Sequence, residues 1–179
     1  MSQLDSRRVY SGRVISLDVD TVGFPNGVIG ELEMIRHPGA SAVVPLMGGP
    51  AASDTRILLI RQYRYASGGY LYEIPAGRLD EGETPETCAR RELQEETGYS
   101  ATSLTLLTSF FTTPGFTDEL IHVFLATGLA RGTATPEPDE ILETHEVALS
   151  TAVAMVAGGE IVDGKSIVGI LLASARLSG

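Results

Sequence analysis

The chain has 179 residues, 43% of them hydrophobic, and a formal net charge of −10. That length suits one domain with a sizeable core, and no apolar run is long enough to span a membrane. The acidic balance speaks against a general nucleic-acid binder, whose affinity for the phosphate backbone depends on clustered lysine and arginine.

The opening Met-Ser-Gln-Leu-Asp-Ser-Arg-Arg has no apolar core behind it, so it does not read as a secretory signal and a cytoplasmic location is the default expectation. Residues 8–21 and 29–36 alternate apolar and polar positions around Pro25-Asn26-Gly27, which predicts two strands joined by a turn. The apolar runs 42–46 and 57–61 fit central strands on either side of a turn rich in glycine, proline and serine over 47–55. A strand at 71–74 is stopped by Pro75. A loop over 77–83, with Gly77 and Gly82 set among acids, leads to a helix predicted at 85–97: Thr84 is its N-cap, Pro85 takes the first helical position and Gly98 its left-handed end. Strands follow at 104–111 and 120–125 around the loop 112–119, and helical spacing returns at 147–156 and 166–176. This order predicts an α/β fold in which helices enclose a mixed sheet. No repeat or long linker divides the chain, although residues 1–40 form an N-terminal strand element ahead of a main body over 41–179. Cys88 is the single cysteine, which excludes an intrachain disulfide framework and leaves a packing role behind the helix.

Within that helix Glu92, Glu95 and Glu96 are spaced to share one face. Carboxylates three and four positions apart repel one another unless a hard cation sits among them, and a donor set made only of oxygen favours Mg²⁺ or Mn²⁺ over zinc. Ala89 and Leu93 would face the core and leave the acidic stripe to line a cleft. Most charge runs are solvated helix faces, but the full spacing is more specific. Gly77 is followed after five residues by Glu83, then after seven by Arg91-Glu92-Leu93, after one by Glu95-Glu96, and after one more by Gly98 and Tyr99. At average residue frequencies that pattern matches a chain of this length by accident on the order of once in a million sequences.

This stretch resembles the signature of the Nudix hydrolases, which cleave nucleoside diphosphates linked to another moiety. The final position is usually aliphatic, and Tyr99 is expected to pack in its place. Arg61-Gln62-Tyr63-Arg64-Tyr65, Glu73-Ile74-Pro75-Ala76-Gly77 and Pro114-Gly115-Phe116-Thr117-Asp118-Glu119 are similar to the ADP-ribose pyrophosphatase branch, in which a proline stands where Pro114 does. Dinucleoside polyphosphate hydrolases tend to carry a tyrosine where this chain has Phe116 and Thr117, and the extra upstream motif of coenzyme A pyrophosphatases is not found.

The resemblance implies an α/β/α sandwich with a loop-helix-loop catalytic motif, and hydrolysis of ADP-ribose to AMP and ribose 5-phosphate with Mg²⁺, or Mn²⁺ in its place. It implies Glu92 and Glu96 as principal metal ligands, Glu95 sharing a second ion, the Ala76 carbonyl completing a shell and Glu83 as a further candidate. Arg91 is expected to hold a nearby carboxylate. The proton acceptor is sought in the acidic loop 135–143, with Glu140 favoured and Glu137 and Glu143 as alternates. Arg64 suits a diphosphate oxygen because a guanidinium can bind it in a bidentate way, with Arg61 as the alternate. Glu73 is a candidate acceptor for a base or ribose, Glu119 for the terminal ribose hydroxyls, and Phe116, Tyr63 and Tyr65 for stacking on adenine. The three histidines, His37, His122 and His145, show no ligand spacing. The branch further implies a homodimer completed by the N-terminal strands. Two rival readings are a pyrophosphatase for another nucleoside diphosphate sugar such as GDP-mannose, and a module that senses ADP-ribose without turnover.

Overall fold

A computed structural model describes residues 1–48, 55–135 and 141–178. The chain forms two compact units, one made of Met1–Gly39 with Phe110–Ile121 and the other of Ala40–Ser109 with His122–Gly179.

The first unit is an antiparallel sheet of β1 (Ser2–Ser11), β2 (Ser16–Gly23) and β3 (Ile29–Arg36) in that order. Residues 8–21, expected as one strand, are therefore parts of two. The chain reverses between them in a tight turn in which the Gly12 amide donates to the Ile15 carbonyl at 2.9 Å. The alternation survives such a reversal, which is why periodicity alone joined the segments. The turn at Pro25-Asn26-Gly27 is present, with Gly27 at φ 83° and its amide donating to the Phe24 carbonyl. Asp18 and Asp20, two apart on β2, are buried on one face. Arg36 bridges both, and Arg8 pairs with Asp18 from β1. Burial opposes the charge on Asp18, but the Arg8 hydrogen bond, joined by Arg36, holds its carboxyl below the ordinary range.

The second unit is built on a seven-stranded sheet. Its main path runs β10 (Leu142–Ala148), β5 (Arg56–Arg64), β4 (Ala40–Met47), β9 (Leu120–Arg131) and β8 (Tyr99–Phe111), with β6 (Gly69–Glu73) on β5 and β7 (Ala76–Arg78) on β4. Two of these strands were not expected. β7 lies in a glycine-containing segment with no apolar run, and β10 carries the polar run Glu143-Thr144-His145-Glu146 just before a helix, so it shows no strand period. The helices are α1 (Pro85–Thr97), α2 (Leu149–Gly158) and α3 (Gly164–Ser178).

β4 explains the layering. It is buried along nearly its whole length, so neighbouring side chains feed opposite faces of the sheet. Val43 joins Ala89 and Leu93 of α1 with Phe124 and Ala126 of β9, and Tyr99 packs against this cluster as expected for the aliphatic position it replaces. On the other face, a Cβ added at Gly169 of α3 would come within 2.9 Å of Ile74, 3.0 Å of Val44 and 3.2 Å of Val123. Only a residue without a side chain lets α3 approach so closely. The result is an α/β/α sandwich. Pro45, which has no amide to donate, sits between the β4 residues paired with β7 and those paired with β5. Ser41, fully buried in the same strand, donates its hydroxyl to the Pro85 carbonyl at 2.8 Å.

Leu93 is the largest fully buried side chain that α1 contributes to this core. Leu93→Ala should lower unfolding stability by about 2–5 kcal/mol, the range for a truncated buried leucine. Urea denaturation would measure it, and a loss below about 1 kcal/mol would mean that α1 is not anchored through this contact.

Candidate active site

The site starts from the punctuation of α1. The Thr84 hydroxyl accepts from the Thr87 amide at 3.2 Å, Pro85 opens the helix, and Gly98 ends it at φ 75° with its amide on the Gln94 carbonyl. These residues fix the rotational phase of the helix. Ala89 and Leu93 face the sheet, while Glu92 and Glu96, four apart, point at the start of β7. Both are buried, at 8% and 3% exposure. Glu96 Oε2 accepts from the Ala76 amide at 2.9 Å. Glu92 lies so close over Gly77 that a Cβ there would stand 1.8 Å from its Oε1.

Arg91 holds nearby carboxylates, as expected of it, and partly neutralises these acids. Its Nε and Nη2 bind both oxygens of Glu83, at 3.0 and 2.9 Å, while Nη1 reaches Glu92 at 2.6 Å and Glu95 at 3.1 Å. The Arg91 hydrogen bond is the main cause holding Glu83 below its ordinary range. Among the described residues no three acidic, histidine or cysteine side chains form a ready-made metal cage. The donor chemistry nevertheless fits a hard divalent ion: carboxylate oxygens converge, two of them are buried, and Gly77 leaves the space for Glu92 that any side chain would fill. Cys88 lies on the same side of α1, its Sγ 3.5 Å from the Gly77 carbonyl and 3.4 Å from that of Arg78. Burial, with Glu92 adding to it, pushes this thiol up to about 12, so it stays protonated and is a weak ligand.

A second charged cluster lies on β5 and β6. Arg64 grips Glu73 with two parallel bonds, Nε to Oε1 at 2.7 Å and Nη2 to Oε2 at 2.8 Å. Glu73 is only 1% exposed and also accepts from Lys165 Nζ at 2.5 Å. Burial alone would raise its carboxyl, but Arg64 and Lys165 together hold it below the ordinary range. Arg64 in turn feels the charge of Glu96, which ties this cluster electrically to the acidic face of α1.

The other candidates are distributed as follows. Arg61 projects from the opposite face of β5 to Arg64, stacks 4.3 Å over the Tyr70 ring and pairs with Glu143 at 3.4 Å. Tyr63 packs edge to face on Tyr70, and Tyr65 is 90% exposed. Phe116 and Glu119 belong to the first unit. There the Phe116 carbonyl accepts from the Ile35 amide at 2.8 Å, and Glu119 holds the Thr112 hydroxyl at 2.8 Å with His37 3.5 Å away. Glu137 and Glu140 lie outside the described residues. Lys165, Asp163 and Ser166 carry the contacts that sequence reasoning missed; the only hint was Asp-Gly-Lys-Ser before an apolar helical run, which reads as a plain helix start.

Gly77→Ala is informative because the clash falls on a flexible carboxylate rather than on backbone. The variant should fold with a melting temperature near that of the parent, yet bind Mn²⁺ at least about tenfold more weakly by titration calorimetry, since Glu92 must turn away. Unchanged Mn²⁺ affinity would show that Glu92 is not a ligand.

Comparison with known proteins agrees with this geometry. Residues 36–165 match the family model described as "NUDIX domain". The chain is 42% identical over 161 residues to the "ADP-ribose pyrophosphatase" of Bacillus subtilis strain 168, covering 89% of this chain and 84% of that protein. It is 37% identical over 158 residues to the "GDP-mannose pyrophosphatase" of Yersinia enterocolitica, covering 83% and 80%. A solved structure entitled "Crystal structure of ADP compounds hydrolase" shares the fold at a TM-score of 0.83, with 22% identity over 99% of this chain and 94% of its own. With most of its length matched by the family model and its acids set on α1 as the signature requires, the chain belongs to the Nudix hydrolase family.

Proposed function

We propose that this enzyme hydrolyses the pyrophosphate bond of ADP-ribose, giving AMP and ribose 5-phosphate, with Mg²⁺ as its ion and Mn²⁺ as a substitute. The observation that carries the reading is the convergence of Glu92 and Glu96, both buried, on Gly77 and the Ala76 amide. Four carboxylates, Glu83, Glu92, Glu95 and Glu96, against the single guanidinium of Arg91 suit a polyanionic substrate only when divalent ions lie between the two.

Glu92, Glu96 and Glu95 would hold the ions, with the Ala76 carbonyl as a further donor. Bound divalent ions polarise phosphoryl oxygens and acidify water. To take part, Glu92 and Glu95 must let go of Arg91 Nη1, while Arg91 keeps its paired grip on Glu83. Arg64 is the residue we favour for the diphosphate: two of its five donors are spent on Glu73, so three remain for an anion. Glu73, with both oxygens engaged, serves from behind Arg64 rather than by accepting from a base or a ribose. Arg61 is the alternate arginine. Phe116 is assigned to stacking and Glu119 to the ribose hydroxyls. The general base is assigned to Glu140, with Glu137 and Glu143 as alternates.

Residues 1–40 are proposed as a dimerisation element that helps complete the base pocket of a homodimer. β1 is exposed along its whole length, with Leu4, Val9 and Tyr10 each more than half exposed, which suits a strand awaiting a partner. No helix among the described residues is long and apolar enough to cross a membrane; we assign the enzyme to the cytoplasm and expect no nucleic-acid partner.

The relative named a GDP-mannose pyrophosphatase favours one second reading, the same chemistry on GDP-mannose. The acids of α1 are all present, which speaks against a sensing module without turnover. Initial rates on a panel of nucleoside diphosphate sugars should show the highest kcat/KM for ADP-ribose; a preference for GDP-mannose would transfer the assignment to it. Glu96→Gln should lower kcat by about 10²–10³ with the fold intact, the scale seen when a group stabilising transition-state charge is removed. Glu140→Gln should lower kcat more than it raises KM, and an equal fall in Glu137→Gln alone would move the base there.

A further inference from the structure

We propose that Lys165 is a positioning residue for the diphosphate arginine, acting on Arg64 through the buried carboxylate of Glu73. The inference rests on the assignment of Arg64 to the substrate diphosphate. Lys165 stands at the start of α3, far along the chain from the signature, and its side chain is only 12% exposed. Its Nζ lies 2.5 Å from Glu73 Oε2 and 3.0 Å from Asp163 Oδ2.

The need for it follows from charge. A buried carboxylate held by a single guanidinium would form a neutral pair, and the guanidinium would have little attraction left for a second anion. Lys165 brings a second positive charge against Glu73, with Asp163 on the same ammonium group. Glu73 then divides its charge between two cations, so less of it is spent on Arg64 than in a lone pair. The geometry works in the same direction. Arg64 binds both carboxylate oxygens and Lys165 binds one of them, so the carboxylate cannot rotate without breaking a charged bond, and the plane of the guanidinium is set.

Lys165 is itself fixed. Asp163 Oδ2 accepts from the Ser166 amide at 3.0 Å and from its hydroxyl at 2.5 Å, capping α3 beneath the ammonium group. The Ser166 oxygen then accepts from the Ile74 amide at 2.8 Å, next to Glu73 in the chain. The helix start and the strand end are therefore stitched side by side, and Lys165 has one place to reach.

The test is a kinetic comparison of wild type, Lys165→Met, Lys165→Arg, Arg64→Ala and the double variant Arg64→Ala/Lys165→Met on the nucleoside diphosphate sugar that the wild type cleaves best. Lys165→Met should raise KM about tenfold with kcat changed less than about threefold, Lys165→Arg should recover most of that KM, and in the Arg64→Ala background the change to Met should add less than about twofold. Melting temperatures identify variants that fold, and Lys165→Gln replaces Lys165→Met if the latter does not. An unchanged KM in Lys165→Met, or a full effect persisting without Arg64, overturns the inference; the second result would mean that the ammonium group meets the substrate directly. A wild type that cleaves no nucleoside diphosphate sugar would instead overturn the functional assignment and this inference with it.

Discussion

The short segment from Glu73 to Gly77 is the constraint on which the site depends. It is gripped from two directions by hydrogen bonds to its own amides. Glu96 on α1 accepts from Ala76, and Ser166 on α3 accepts from Ile74. Because both bonds are made by buried side chains to backbone, neither helix can shift without leaving a polar group unsatisfied inside the protein. The two helices pack on opposite faces of the sheet, so this segment is where the layers of the sandwich are tied to one another. Three pairs of the candidate site lie on it or against it: Glu73 with Arg64, Ala76 with Glu96, and Gly77 under Glu92.

Charge in the second unit is arranged around that segment in two sets. On the α1 side, carboxylates outnumber the guanidinium that partly neutralises them, which favours added cations. On the β5 side, arginine and lysine share the buried carboxylate of Glu73 with Asp163 behind the lysine, which leaves the outward donors of Arg64 for an added anion. Acids on one side and arginine donors on the other suit the metal-bound diphosphate of the proposed reaction, and would let an enzyme with a net charge of −10 take a negatively charged substrate.

Local chemistry made α1 readable from sequence. Its N-cap, first-position proline and terminal glycine are each recognised by what they do to a single backbone group, and the helix spans 85–97 as expected. The spacing of Glu92 and Glu96 likewise placed them together because four residues make about one turn. The cluster on Glu73 was hidden for the opposite reason. Lys165 is separated from Glu73 by 92 positions, and nothing in Asp-Gly-Lys-Ser distinguishes a lysine that folds back onto a buried acid from one in solvent. The strands β7 and β10 were missed because partners in the sheet, rather than any pattern of their own, make them strands. Arg64 is the favoured arginine in the sequence and Arg61 its alternate; strand alternation sends them to opposite sides.

A further consequence concerns Ser41. A strand buried on both faces, as β4 is, loses the usual cue that fixes its alignment, since sliding it by a residue exchanges one greasy side chain for another. The hydroxyl of Ser41 is the one polar side chain in 40–47, and its acceptor is the carbonyl of Pro85 at the first turn of α1. Any slippage would leave that oxygen stranded in hydrocarbon. A single hydroxyl thus acts as an index mark that locks the central strand to α1.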